Sequence, residues 1–447
     1  MLIGQASINL TANILSALLG LLSVFVFTRL FSPHDYGTYL LGTGFASVIS
    51  VFLAGWFRNL VLSGHARNDG TDVRGLVASG FLLSCLTAPI AYGLGVLTGL
   101  GAAAAVAAIA LSIAIAFFDL TQDLIRARLR AFAVMRGTLV RSAGVLCLGV
   151  LVALVSPTGL VLLLSSTAAC LIAILVQSRT AWRGTMMVFD RADLAALARQ
   201  GLPLTVSLTL LAVSSVADRF VIANLVGAAD AGRYVAALDL VRQTLMLPAM
   251  SAAAALGFAM ISAHVANVVL GADFREIAAQ TMPIVAVAVI FQILTQQYLH
   301  ASFLLSGRNS FYLINPASII VANVILSCVL VESHGTVGAA WARLGADAIG
   351  FLCALVLSRS AFPVPLPAGR LALVMIAALI MALMVGALDR HLHVGDLTAG
   401  IVLACTGFCS YAALCWLFDI SRLRRRLKSG VALLRTKRAN LTIGPSP

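Results

Sequence analysis

The chain has 447 residues, 61% of them hydrophobic and 11% charged, with a formal net charge of +13. A soluble domain has roughly 45–50% apolar and about 25% charged residues, so the composition excludes a soluble fold of this length. The charge does not indicate nucleic acid either, because Arg422, Arg424, Arg425, Arg426, Lys428, Arg435, Lys437 and Arg438 follow the last apolar segment, and without these eight the balance falls to +5. A basic tail beside a membrane helix marks the cytoplasmic side and a contact with anionic membrane lipids.

One helical crossing of a roughly 30 Å hydrocarbon core takes about 20 apolar residues. Runs of that kind lie at residues 8–30, 38–62, 75–99, 101–122, 138–156, 159–179, 202–226, 234–262, 281–305, 311–331, 336–358, 369–388 and 397–418. The first has no basic region before it and no small-residue cleavage site, so it is expected to be an uncleaved span. The predicted fold is an all-α polytopic membrane protein.

With the N-terminus inside, the inner connections carry Arg58, Arg67 and Arg74, then Arg126, Arg128, Arg130, Arg136 and Arg141, then Arg179, Arg183, Arg191 and Arg199. The outer connections around Gly99 and Pro157 carry none, which is the positive-inside asymmetry. Simple alternation over thirteen spans then puts Arg308, Arg359, Arg370 and the basic tail outside. One crossing is therefore missing. The stretch between Arg233 and Asp273 contains Pro248 and ends in Gly271. Two short or broken helices there, or one crossing and a re-entrant piece, return every later basic loop to the cytoplasm. The expected topology is fourteen crossings with one compressed pair, both termini cytoplasmic.

The sequence also repeats itself at an offset of 195: residues 29–39 lie over residues 224–234, with Leu30 over Leu225, Asp35 over Asp230, Gly37 over Gly232 and Tyr39 over Tyr234. The match falls between spans one and two and again between spans seven and eight. Six spans is an even number, so the two halves have the same orientation, as in transporters built from parallel repeats. Substrate is expected between them.

Three segments carry a family resemblance: residues 28–39 with Tyr36-Gly37, Ala217-Asp218-Arg219-Phe220 through residues 232–237, and Asn323 to Ser327 followed by residues 335–341. They resemble the lipid-linked oligosaccharide flippases of the polysaccharide-biosynthesis branch of the multidrug/oligosaccharidyl-lipid/polysaccharide exporter superfamily. The resemblance implies two pseudo-symmetric helical lobes around a central cavity, about 13 to 14 transmembrane helices in all. It implies transfer of a polyprenyl-pyrophosphate-linked oligosaccharide across a bacterial inner membrane, next to glycan polymerase and chain-length proteins. The expected division is a six-helix lobe at residues 1–200, a second lobe at 201–360 shortened around 234–273, additional helices at 361–420 and the basic tail at 421–447.

A pyrophosphate crossing the bilayer needs fixed positive charge at depth, where a charged side chain is costly enough to require a cavity or a partner. Arg29, Arg219 and Arg242 are the substrate-binding candidates. Arg29 ends span one and either binds substrate or snorkels to the interface. Arg219 is mid-span beside Asp218, while Asp239 and Arg242 share one helical face. These four either form structural ion pairs between neighbouring helices, or an Asp exchanges a proton or Na⁺ while an Arg holds phosphate. Asp119, Asp123, Arg126 and Arg130 form one stripe at the inner end of span four, either a solvated helix end or a cytoplasmic gate. Asn13, Gln292, Gln296, Gln297, Asn315 and Asn323 are candidates for sugar hydroxyls or for interhelical bonds.

Enzymatic and metal chemistry find little support. The eight cysteines all lie in apolar runs, and Cys405 and Cys409, one turn apart, have no accompanying His or second pair, so no metal site and no disulfide framework is expected. No Gly-rich phosphate loop of the Walker type occurs and no cofactor is expected. His391 and Asp396 have an acyltransferase-like spacing but lack its glycine-rich partner. A membrane-embedded glycan polymerase or ligase is the enzymatic alternative, and it usually has a large outer loop that this chain lacks. A multidrug exporter of the same superfamily is the alternative within transport. It would want fewer arginines and more acidic or aromatic residues in its cavity.

Overall fold

The computed structural model describes residues 2–66, 74–186, 189–246, 252–306, 311–361, 368–392 and 394–418. Among the described residues the chain forms fifteen α-helices and no strand. The first seven are α1 (Leu2–Leu30), α2 (Pro33–Ala66), α3 (Arg74–Cys85), α4 (Ala88–Leu97), α5 (Ala102–Ala127), α6 (Ala131–Val155) and α7 (Gly159–Trp182). There follow α8 (Arg191–Val226), α9 (Ala228–Met246), α10 (Ala252–Val269), α11 (Ala272–Ile293), α12 (His300–Ser306), α13 (Phe311–Ala361), α14 (Ala368–Asp389) and α15 (Asp396–Leu417). A π-helical turn, Leu294–Leu299, joins α11 to α12.

Ten helices are long and apolar enough to cross a membrane, and α3 with α4 form an eleventh span bent by 45°. The bend has a local cause: Pro89 sits in the first turn of α4, where its missing N–H is harmless, after the break at Leu86 and Thr87. In α13 the break is Gly335, whose φ of +55° lies in the left-handed region that favours glycine. The helix folds back there, and the Asn315 side-chain amide donates to the Gly350 carbonyl at 2.7 Å across the hairpin. These two limbs correspond to the separate spans expected at 311–331 and 336–358.

The missing crossing is the α9–α10 pair. α9 holds Asp230, Arg233, Asp239 and Arg242, which lower its hydropathy, and α10 is short. Its direction follows from contacts at the end of the bundle that holds the α1–α2 turn, here the upper end. At that end Gly37 of α2 and Gly232 of α9 meet face to face, so close that a Cβ on Gly37 would strike the Ala228 carbonyl and one on Gly232 the Pro33 carbonyl. α9 thus starts at the upper end. The Gly271 amide, opening α11, donates to Thr28 Oγ1 at 3.1 Å, so α11 starts there too. α9 descends and α10 returns, and the described residues make fourteen passes through the bundle. Arg308 and the basic tail, which motivated the expectation, lie outside the described residues.

The added helices α14 and α15 are fastened at the upper end by His264 of α10, whose Nε2 lies 2.9 Å from Asp389 Oδ1 and whose Nδ1 lies 2.7 Å from Asp396 Oδ1. Asp396 is thereby engaged with His264. Cysteine labelling at Ser310, Ser360 and Lys428 is expected to report all three positions on the same side of the membrane as the N-terminus. A Lys428 label on the opposite side would contradict the fourteen-pass arrangement.

Candidate functional site

The repeat brings its own residues to the centre. Besides Gly37 and Gly232, the tyrosines of the first copy build the roof of a cavity: Tyr36 and Tyr39 stack with ring centroids 5.9 Å apart, and Phe27 and Phe274 meet them edge-on at 6.3 Å and 5.8 Å. Below this roof lies a cavity of about 840 Å³ between α1, α2, α5, α6, α7 and α9. It continues along α1 as far as Asn13 and along α6 to Thr138, towards the lower end. The roof seals the upper end and the polar lining runs downward.

The wall of this cavity is mixed. Ser16, Ser23, Thr43, Ser47, Thr138 and Ser142 supply hydroxyls, and Asn13 and Gln243 supply amides. Three charged side chains reach it: Arg141 from α6, and Asp239 and Arg242 from α9. Asp239 Oδ1 is bound by Arg219 Nη2 at 2.9 Å, which cancels the one carboxylate. Arg242 has no carboxylate within 4 Å among the described residues. Its Nη2 donates to the Ser215 carbonyl at 3.2 Å, and its buried Nε has no partner. Arg141 lies over the Phe118 ring, 5.0 Å from the centroid, and makes no ion pair among the described residues. With Asp239 already neutralised, the wall offers two guanidinium groups for an anion.

The structure redistributes the sequence candidates. Asp218 and Arg219 are adjacent and point to different neighbours: Arg219 pairs with Asp239, whereas Asp218 is taken by Arg343 at 3.2 Å and by the Tyr234 hydroxyl at 3.1 Å. Arg343 also holds Asp347 at 2.8 Å. Sequence reasoning passed over Arg343 and Asp347, although two opposite charges four residues apart inside an apolar span are the same signal that Asp239 and Arg242 gave.

Arg29 lies apart from the other candidates. It is not in the cavity wall; its guanidinium donates to the carbonyls of Phe25, Val268 and Val269 at 2.8, 2.9 and 2.6 Å and packs 3.7 Å from the Phe25 ring centroid. That is a strap between α1 and the end of α10, filled by protein acceptors. The stripe at the inner end of α5 is held within one group of ion pairs. Asp123 and Asp119 receive Arg58 of α2 at 2.6 and 3.3 Å, and Arg126 adds 3.1 Å to Asp123, so the cluster clasps α2 to α5. Arg130, at the start of α6, is exposed and takes no part. Asn13 lines the cavity, while Gln292, Gln296 and Asn315 surround a separate small void in the second lobe. The Gln297 side chain lies outside the described residues.

Solved structures share this fold. The chain is similar to the lipid II flippase MurJ in an inward closed conformation, with a TM-score of 0.71 and 14% identity over 92% of this chain and 98% of that one. It is also similar to the eukaryotic MATE transporter AtDTX14, with a TM-score of 0.52 and 13% identity over 80% of this chain and 96% of that one. At these identities the likeness is one of fold. No curated protein sequence matches the chain. Residues 3–263 match the model of the polysaccharide biosynthesis protein family, more than half of the sequence, and the chain belongs to that family.

Proposed function

We propose that the protein is a secondary transporter of the bacterial inner membrane that flips a polyprenyl-pyrophosphate-linked oligosaccharide from the inner to the outer leaflet for surface polysaccharide synthesis. The observation that carries this reading is the cavity wall, where Arg141 and Arg242 face a common space with no carboxylate of their own and the sole acidic group there is neutralised by Arg219. An unpaired charge at this depth is expensive unless a ligand or water uses it, and a guanidinium matches phosphate oxygens with a planar fork. The hydroxyl and amide lining suits sugars, and Tyr36 and Tyr39 form an aromatic ceiling for them.

The arginine asymmetry supports a cytoplasmic lower end, where the head group is made, and with that orientation the cavity is roofed towards the outer leaflet. Movement of the two lobes about the Gly37–Gly232 crossing then exchanges roof for floor. Family membership and the MurJ-like fold support this reading. The protein acts without a chemical step, and a polymerase and chain-length proteins are the expected consumers of its product.

A multidrug exporter of the same superfamily is the second reading, and the likeness in fold to a MATE transporter is compatible with it. The wall disfavours it, since such an exporter would want fewer arginines and more acidic residues, whereas this wall has two guanidinium groups and one already paired carboxylate. Removing the gene distinguishes the two. The flippase reading expects lipid-linked oligosaccharide to accumulate on the cytoplasmic leaflet and surface glycan to be lost. Unchanged surface glycan with new drug sensitivity would favour the exporter.

A further inference from the structure

Behind the cavity, two carboxylates of different elements share one cation. Asp218 of α8 and Asp347 of the second limb of α13 have side chains 0% and 4% exposed, and the Arg343 side chain between them is 3% exposed. Arg343 Nη1 lies 3.2 Å from Asp218 Oδ2, and Arg343 Nε lies 2.8 Å from Asp347 Oδ2. The same Nη1 is 3.5 Å from the carbonyl oxygens of Ser214 and Ser215. Asp218 is completed by the Tyr234 hydroxyl at 3.1 Å and the Arg219 amide at 3.0 Å. Arg242 bonds the same Ser215 carbonyl at 3.2 Å and makes no ion pair with this group, so Arg343 is the one cation among the described residues that Asp218 and Asp347 share.

Carboxylate and carbonyl oxygens converging from two helices are the ligands a hard metal cation takes. Here a guanidinium fills that position. The adjoining void, lined by Gln292, Thr295, Gln296, His300 and Asn315 beside Arg343 and Asp347, measures about 10 Å³. That is at most the space of one water. We propose that Arg343 is a tethered counter-cation standing where an exchangeable Na⁺ would otherwise sit, so that Asp218 and Asp347 take up no metal ion and the transport cycle is independent of Na⁺ at this site. The role in transport rests on the flippase reading; the ion site itself does not.

The test reads ion binding on the purified full-length protein, apart from any export. A ligand that binds the folded state raises its melting temperature. Wild type is expected to melt at the same temperature in NaCl and in choline chloride of equal ionic strength. Arg343→Ala uncovers the site, and its melting temperature is expected to rise by several degrees with guanidinium or Na⁺ against choline; Arg343→Ala combined with Asp347→Asn is expected to lose most of that response. Wild type stabilised by Na⁺, with the effect abolished by Asp218→Asn, would overturn the proposal, and so would an Arg343→Ala protein indifferent to both cations. Should Arg343→Ala not accumulate as folded protein in any ion, the wild-type comparison decides. Wild-type glycan export that is equal in Na⁺ and K⁺ media agrees with the tethered cation, whereas no export under either refutes the flippase reading and leaves the melting result standing.

Discussion

Replacing Arg242 with alanine is expected to stop glycan export while the protein stays in the membrane at wild-type abundance. Arg242 has little invested in the fold: it contributes one bond to a backbone carbonyl, and its Nε has no partner. Its loss strands no carboxylate within ion-pair distance. Hydrogen bonds to a charged group are worth about 1.5–3 kcal/mol each, so losing one or two such bonds to a phosphate weakens substrate binding about 10- to 150-fold or more. Arg242→Lys is expected to recover only part of the export, since a lysine retains the charge but not the planar fork. The measurement is surface glycan against membrane abundance, with lipid-linked intermediate counted on the inner leaflet. Full export by Arg242→Ala at normal abundance would remove this residue as the anchor.

Arg219→Ala is expected to behave in the opposite way, with export falling because the folded protein falls. The Arg219 and Asp239 side chains are 8% and 23% exposed, and the bond between them joins α8 to α9 beside the crossing of the two lobes. Removing one partner of a buried pair costs about 3–5 kcal/mol, because the other charge is left unpaired. Asp239 has access to the cavity, so the low end of that range, about 3 kcal/mol, is expected. The diagnostic is rescue: Arg219→Ala with Asp239→Asn should regain much of the lost abundance, since contacting residues are not additive. Equal losses in the single and double variants would assign Arg219 another role.

Much of the fold was legible because hydrocarbon thickness imposes a length that apolar runs must meet. The arginine asymmetry went further and located the missing crossing at residues 234–273, where hydropathy alone fails: α9 is charged because its inner face lines the cavity and pairs with α8. The repeat was legible as well, and its glycines, Gly37 and Gly232, turned out to touch. Pairing was not legible. Neighbours at i and i+1 on a helix point about 100° apart, so Asp218 and Arg219 serve different partners. The partner of Asp218 lies 125 residues away at Arg343, and only tertiary packing settles that. Arg29 illustrates the same limit, since an arginine at a helix end looks free until the carbonyls of Val268 and Val269 close on it. Arg141 was visible only as one more inner-loop charge, because the expected start of its span placed it near the interface, whereas α6 begins at Ala131 and carries it into the wall.

The central claim is that this cavity carries a lipid-linked oligosaccharide between leaflets, and reconstitution tests it most directly. Purified protein in vesicles, loaded on one leaflet with a polyprenyl-pyrophosphate-linked oligosaccharide, is assayed by the access of an external lectin to the sugar. Rapid equilibration between leaflets is expected with wild-type protein, and rates near those of protein-free vesicles with Arg242→Ala. Wild-type vesicles in which the sugar stays on its original leaflet, under a membrane potential of either sign and in any ion, would contradict it.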